Sequence, residues 1–189
     1  PEGGSYPYGG EVEFSFDQTN SISGNMACSL QIDGTLNQTN SSVTPATTTV
    51  FPVSGFSLGS HNWSINCSGS GASTGSETRN FTITDDGVPS IEFSTGCEDE
   101  GAYLERRYAH MNVSASDFFG IENITISLYS QDGLLNSTAF TDSANYLFAN
   151  FTMLGTGRYY VNATAYDANG NSNHTETRNF TINVNLGPG

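Results

Sequence analysis

The sequence predicts an all-β protein of two tandem antiparallel β-sandwiches, and three observations carry that expectation. First, apolar and polar residues alternate with a period of two. Val12, Phe14 and Phe16 interleave with Glu11, Glu13 and Ser15, and Tyr159, Val161, Ala163 and Ala165 do the same later in the chain. Second, Glu77-Thr78-Arg79-Asn80-Phe81-Thr82-Ile83 returns letter for letter as Glu176-Thr177-Arg178-Asn179-Phe180-Thr181-Ile182, an offset of 99 residues that suits a repeated domain rather than a solenoid. Third, Asp-Gly, Ser-Gly and Asn-Gly turns punctuate the alternating runs. No capped 3.6-residue stripe is evident, and Ala102 to Ala109 reads as one short turn.

In the second unit the expected strands are A at 90–95, B at 109–116, C at 122–130, C′ or D at 134–141, E at 146–152, F at 158–167 and G at 175–185. Seven strands in this order describe an immunoglobulin-like sandwich. Subtracting 99 places B at 11–17, C at 26–33, a short strand at 35–39, E at 47–53, F at 60–67 and G at 76–84. Strand A of this unit falls before Pro1. The expected division is therefore a flexible segment 1–10, a first domain 11–86 with strand A missing, and a second domain 87–189.

Composition fits two small domains. The 189 residues carry 5 Lys+Arg against 19 Asp+Glu, a formal charge of −14, and all the basic residues are arginines. Phosphate backbones and anionic membrane surfaces need clustered cations, so nucleic acid and lipid headgroups are excluded as main partners. No apolar run approaches the ~18 residues of a spanning helix. Disorder is excluded by the 12 Phe and 9 Tyr and by a charged fraction of only 13%. Two domains of about 95 residues accommodate an apolar fraction of 35% better than one large core.

Of the three cysteines, Cys28 on strand C and Cys67 on strand F share the inward parity of neighbouring strands, so a disulfide between them is expected. The alternative is two buried thiols. Cys97 has no evident mate, and Glu98-Asp99-Glu100 beside it should raise its pKa and make it a poor nucleophile.

Asn-X-Ser/Thr occurs at Asn37, Asn40, Asn62, Asn66, Asn80, Asn112, Asn123, Asn136, Asn150, Asn162, Asn173 and Asn179. In Asn62-Trp63-Ser64, Asn123-Ile124-Thr125, Asn150-Phe151-Thr152 and Asn179-Phe180-Thr181 the middle residue is the core residue. Strand alternation then turns both sequon ends outward, where a glycan can be attached. Asn is otherwise depleted in strands. Multiple N-glycosylation among these twelve sites, and so export from the cell, is expected.

Cys28-Ser29-Leu30-Gln31-Ile32-Asp33-Gly34, Gly59-Ser60-His61-Asn62-Trp63-Ser64-Ile65-Asn66-Cys67 and Glu77-Thr78-Arg79-Asn80-Phe81-Thr82 resemble the Ig-like repeats of large archaeal cell-surface proteins. Gly120-Ile121-Glu122-Asn123-Ile124-Thr125 and Tyr166-Asp167-Ala168-Asn169-Gly170-Asn171 resemble the companion repeat. The resemblance implies surface stalks, S-layer-like coats, adhesins or filaments, with no shared activity.

Catalytic signals are weak. Gly55-Phe56-Ser57-Leu58-Gly59 matches a nucleophile elbow, but an alternating strand follows it where that chemistry needs a helix. His61, His110 and His174 lack metal-ligand spacing. A glycosidase dyad has no arguable cleft. Asp85, Asp86 and Asp167, with Asn169 and Asn171 nearby, are weak Ca²⁺ candidates, since Asp and Asn also serve as plain turn residues. No other metal and no cofactor is expected. Tyr6, Tyr8, Tyr103, Tyr108, Tyr129, Tyr159 and Tyr160 exceed core needs and suit subunit contact or, as the alternative, stacking on sugars.

The expected function is thus a non-enzymatic, extracellular, cell-surface coat or filament subunit, with an adhesin or carbohydrate-binding module as the alternative. A missing strand A would leave strand B open to strand addition by another copy, with residues 1–10 or 181–189 as donors. Two other outcomes compete: strand A lies upstream in a longer chain, or Pro1 to Gly10 folds back within its own domain.

Overall fold

The computed structural model describes residues 1–19, 24–69, 71–140 and 145–184, and no helix occurs among them. Two compact units divide the chain, Pro1–Asp86 and Gly87–Gly189.

Unit one contains β1 (Ser5–Pro7), β2 (Val12–Asp17), β3 (Met26–Ile32), β4 (Thr35–Val43), β5 (Thr48–Val53), β6 (Gly59–Gly69), β7 (Ala72–Gly75) and β8 (Arg79–Thr84). One sheet runs β1-β8-β6-β3-β4, with β7 also on β6, and faces the pair β2-β5. Alternation sets the core. Val12 and Phe14 of β2 share one core with Met26, Cys28 and Leu30 of β3, and Phe14 lies 5.3 Å from the rings of both Trp63 and Phe81. The β3–β4 hairpin turns on Asp33-Gly34, both at positive φ (50° and 74°), as a two-residue turn between twisted strands requires.

Unit two contains β9 (Ser90–Phe93), β10 (Ala102–Leu104), β11 (Ala109–Ser116), β12 (Ile121–Ser130), β13 (Gly133–Phe140), β14 (Tyr146–Phe151), β15 (Gly157–Asp167), β16 (Ser172–His174) and β17 (Arg178–Ile182). Its sheets run β10-β17-β15-β12-β13, with β16 on β15, and β14-β11-β9. Both units are immunoglobulin-like β-sandwiches.

The segment 1–10, expected to be flexible, is instead tied down. Within it β1 pairs parallel to β8, with Tyr6 opposite Ile83, just as β10 pairs parallel to β17, with Leu104 opposite Ile182. Gly3 N donates to Asn80 O at 2.7 Å and Trp63 Nε1 to Pro1 O at 2.6 Å. The Pro1–Gly10 stretch therefore folds back within its own domain. The stretch read as a turn at 102–109 likewise holds β10. Each of these strands has three residues, too few for a period of two to register.

Candidate functional site

Among the described residues β2 pairs only with β5, whereas its counterpart β11 is flanked by β14 and β9. In unit two Phe93, Glu92, Ile91 and Ser90 lie opposite Val113, Ser114, Ala115 and Ser116. The 99-residue offset carries that register onto Phe14, Ser15, Phe16 and Asp17. Ser94 N donates to Asn112 O at 2.9 Å, so the residues of that parity turn their backbone groups toward β9. Their equivalents Glu13, Ser15 and Asp17 turn theirs toward the vacant side.

Beside that edge runs a groove of about 390 Å³, lined by Phe16, Asp17, Ile65, Cys67, Thr74 and Ser76. In unit two the corresponding space is filled, because Ile91 and Phe93 of β9 pack against the core. The Arg178 guanidinium caps Phe93 at 4.3 Å, and Asn173 Nδ2 donates to Pro89 O at 3.0 Å. Gln18, which also lines the unit-one groove, is only 4% exposed. Its Nε2 contacts Met26 Sδ at 3.1 Å, while its Oε1 has no partner among the described residues. A buried acceptor of this kind costs stability until a donor arrives.

Cys28 and Cys67 face each other across β3 and β6 and form a disulfide, with Cα atoms 4.0 Å apart. Cys97 is free; burial first, with the Glu98 charge adding to it, raises its thiol pKa.

His61 in unit one bridges the Asp33 carboxylate and the Ser57 backbone carbonyl, an arrangement that is not a catalytic triad. His61 Nδ1 lies 2.7 Å from Asp33 Oδ2, and Nε2 lies 2.9 Å from the backbone carbonyl of Ser57. Both partners are acceptors, so the protonated ring donates to each of them. A general base needs a free nitrogen aimed at the serine hydroxyl. Here neither is free.

Asp167 is fully buried in the turn after β15. Its Oδ1 accepts from Asn169 N (2.9 Å) and Asn171 N (2.8 Å), and its Oδ2 from Asn171 Nδ2 (2.9 Å). Burial favours the neutral acid, but these bonds outweigh it and hold the carboxyl below its usual range. Asp117, which the sequence did not single out, brings its carboxylate within 4.8 Å of that of Asp167. Asp85 and Asp86 close unit one, with Asp86 exposed. Asp167 is thus explained by its turn.

The sequons fall into two groups. Asn37, Asn66, Asn80, Asn136 and Asn150 are exposed, while Asn40, Asn62, Asn112, Asn123, Asn162, Asn173 and Asn179 are half-buried. Nδ2 of Asn112 donates to Thr95 O, that of Asn173 to Pro89 O, and that of Asn179 to Glu100 Oε1.

The tyrosines divide too. Tyr159 is core and Tyr6 packs edge-on to Phe81, whereas Tyr103, Tyr108 and Tyr8 are exposed. Tyr108, His110 and Phe148 form a row with ring centroids 5.1 and 5.5 Å apart, and the Arg106 guanidinium lies 4.9 Å from the Tyr108 ring.

No family model and no curated protein matches the chain. Solved structures with a similar fold include fibronectin(III)-like modules of CbhA from Clostridium thermocellum, 15% identical with a TM-score of 0.43 over 97% of this chain and 90% of that one. The titin domains z1z2, solved with telethonin, are 12% identical with a TM-score of 0.44 over 96% and 92%. Extracellular domains 3–5 of Drosophila OTK are 14% identical with a TM-score of 0.35 over 97% of this chain and 63% of that one. At such identities the likeness is one of fold alone.

Proposed function

We propose that the protein is a non-enzymatic extracellular structural glycoprotein, a subunit of a cell-surface coat or filament whose copies join by strand addition. The edge of β2, unpaired among the described residues and bordered by a groove that Phe16, Ile65 and Cys67 help to line, carries this reading, because an exposed edge is a template for another strand. The Cys28–Cys67 disulfide supports an oxidising compartment. Twelve sequons in 189 residues support N-glycosylation, and with it the surface setting that the resemblance to archaeal surface repeats implies. The charge of −14 keeps copies apart until a specific contact forms. A heterologous contact of this type extends into a filament unless it closes into a ring.

Intact mass and sedimentation of the native protein test this reading. Expected are a mass above that of the polypeptide, reduced by deglycosylation, and species larger than a monomer. A bare monomer would overturn it.

The Tyr108–His110–Phe148 row favours a second reading, a carbohydrate-binding or adhesive face on the outer side of β11 and β14. Glycan-array binding that Phe148→Ala abolishes would establish it.

A further inference from the structure

Strand β9 displays the chemistry that the groove beside β2 accepts. Its order is polar–apolar–polar–apolar, Ser90-Ile91-Glu92-Phe93, running antiparallel with Ile91 and Phe93 turned to the core. After β17 ends at Ile182, the sequence continues Asn183-Val184-Asn185-Leu186 in the same order, and Pro188 then stops any ladder. Residues 183–186 number four, as many as β9 uses, and residues 185–189 lie outside the described part of the chain.

Resting on the strand-addition reading above, we propose that the groove beside β2 is filled by residues 183–186 of a second copy. That strand runs antiparallel to β2, with Val184 opposite Phe16, Asn185 opposite Ser15 and Leu186 opposite Phe14. The β2 edge carries Glu11, Glu13 and Asp17, and this strand brings no carboxylate against them. On the donor side, Asn183 N–H leaves Leu104 O at 2.9 Å, Asn183 Nδ2 leaves the Tyr103 hydroxyl, and half-buried Val184 gives up its bond to Thr156 Oγ1 at 3.2 Å. A strand ladder on β2 replaces these contacts.

Register-specific cross-linking tests the proposal in the full chain. One preparation carries Ser15→Cys and the other Asn185→Cys, both with Cys97→Ser to remove the competing thiol. Directly opposed residues of antiparallel strands sit about 4.5–5.5 Å apart at Cα, within disulfide range. Mixing under mild oxidation should give a heterodimer whose peptide map links 15 to 185. Glu11→Cys, four residues out of register, should couple to Asn185→Cys at least about tenfold more slowly.

Equal rates, or no cross-link, would overturn the donor assignment. A labelled peptide of residues 89–95, the β9 sequence, separates the two levels of the argument. If it binds and protects the Glu13, Ser15 and Asp17 amides from exchange while 15 and 185 fail to link, strand acceptance stands and this donor falls. If neither occurs, both fall.

Discussion

His61 Nδ1 lies 2.7 Å from Asp33 Oδ2, and the other ring nitrogen lies 2.9 Å from Ser57 O, a setting that favours the imidazolium form. Asp33 Oδ1 also accepts from Asn62 N at 2.9 Å, so the pair ties the β3–β4 turn to β6. The His61 ring lies 5.3 Å from Phe81 in stacked orientation, which sets a charged group against the core of unit one.

The pair makes unit one pH-sensitive in a defined window. The Asp33 hydrogen bond, followed by that of Ser57, raises the His61 pKa above its usual 6.5. Its contribution is therefore complete below the unfolded value and disappears as pH rises through the folded one. Burial alone would raise the Asp33 pKa, but the bonds from His61 and Asn62 prevail and lower it, so its share is lost only in acid. Asp33 is half-exposed, and screening keeps the effect small. Thermal melting should show unit one losing stability from near neutrality upward. His61→Phe should flatten that slope, and an unchanged slope would refute the pairing.

Strand β1 should contribute measurable stability, contrary to a flexible terminus. Tyr6 packs on Phe81 with centroids 6.3 Å apart, and Tyr8 N donates to Thr84 O at 2.8 Å. Tyr6→Ala removes a half-buried ring and should cost about 1–2 kcal/mol. Denaturant unfolding measures it, and a cost near zero would show that β1 is not docked in solution.

The sheets were legible because their strands are long enough to alternate. The inward parity of Cys28 and Cys67 likewise needed only the period of two and the assignment of strands C and F. Strands β1 and β10 were not, since each is three residues long and pairs in parallel with a strand nearly 80 residues away. Strands β7 and β16 lie between the expected strands F and G, where runs of small and polar residues show no alternating apolar face. The open β2 edge was half legible. The 99-residue offset revealed the vacancy, but the buried, unpaired Gln18 Oε1 depends on packing that no pattern encodes.

The disulfide should matter to unit one alone. Val161 pairs with Arg178 as Trp63 pairs with Arg79, which aligns β15 with β6 and places Ala165 where unit one has Cys67. The partner of Ala165 is Ile124, so unit two fills the same place with an apolar pair. The bridge spans a sequence separation of 39 residues, and removing it should cost about 2–4 kcal/mol. That is a large share of a small sandwich's stability. Under reductant the unit-one melting transition should fall by several degrees while that of unit two stays in place. Non-reducing peptide maps should link Cys28 to Cys67 and leave Cys97 out.

Glycan occupancy should follow the side-chain environment of each asparagine. Attachment consumes one Nδ2 hydrogen and needs open space beyond it. Asn37, Asn66, Asn80, Asn136 and Asn150 meet the space requirement. Asn112 does not, because its Oδ1 is buried and its Nδ2 is donated to Thr95 O at 2.8 Å. At Asn173 the sequon hydroxyl, on Thr175, is 5% exposed and is spent between Ala163 N and Glu176 O. At Asn179 both amide ends are engaged, Oδ1 by Arg158 and Nδ2 by Glu100. Site-by-site glycopeptide mass spectrometry of the native protein should find the first five occupied and Asn112, Asn173 and Asn179 bare. Full occupancy at the latter three would mean that glycans are attached before the strands close. In that case removing them enzymatically should be possible only after unfolding, which separates early attachment from a misplaced side chain.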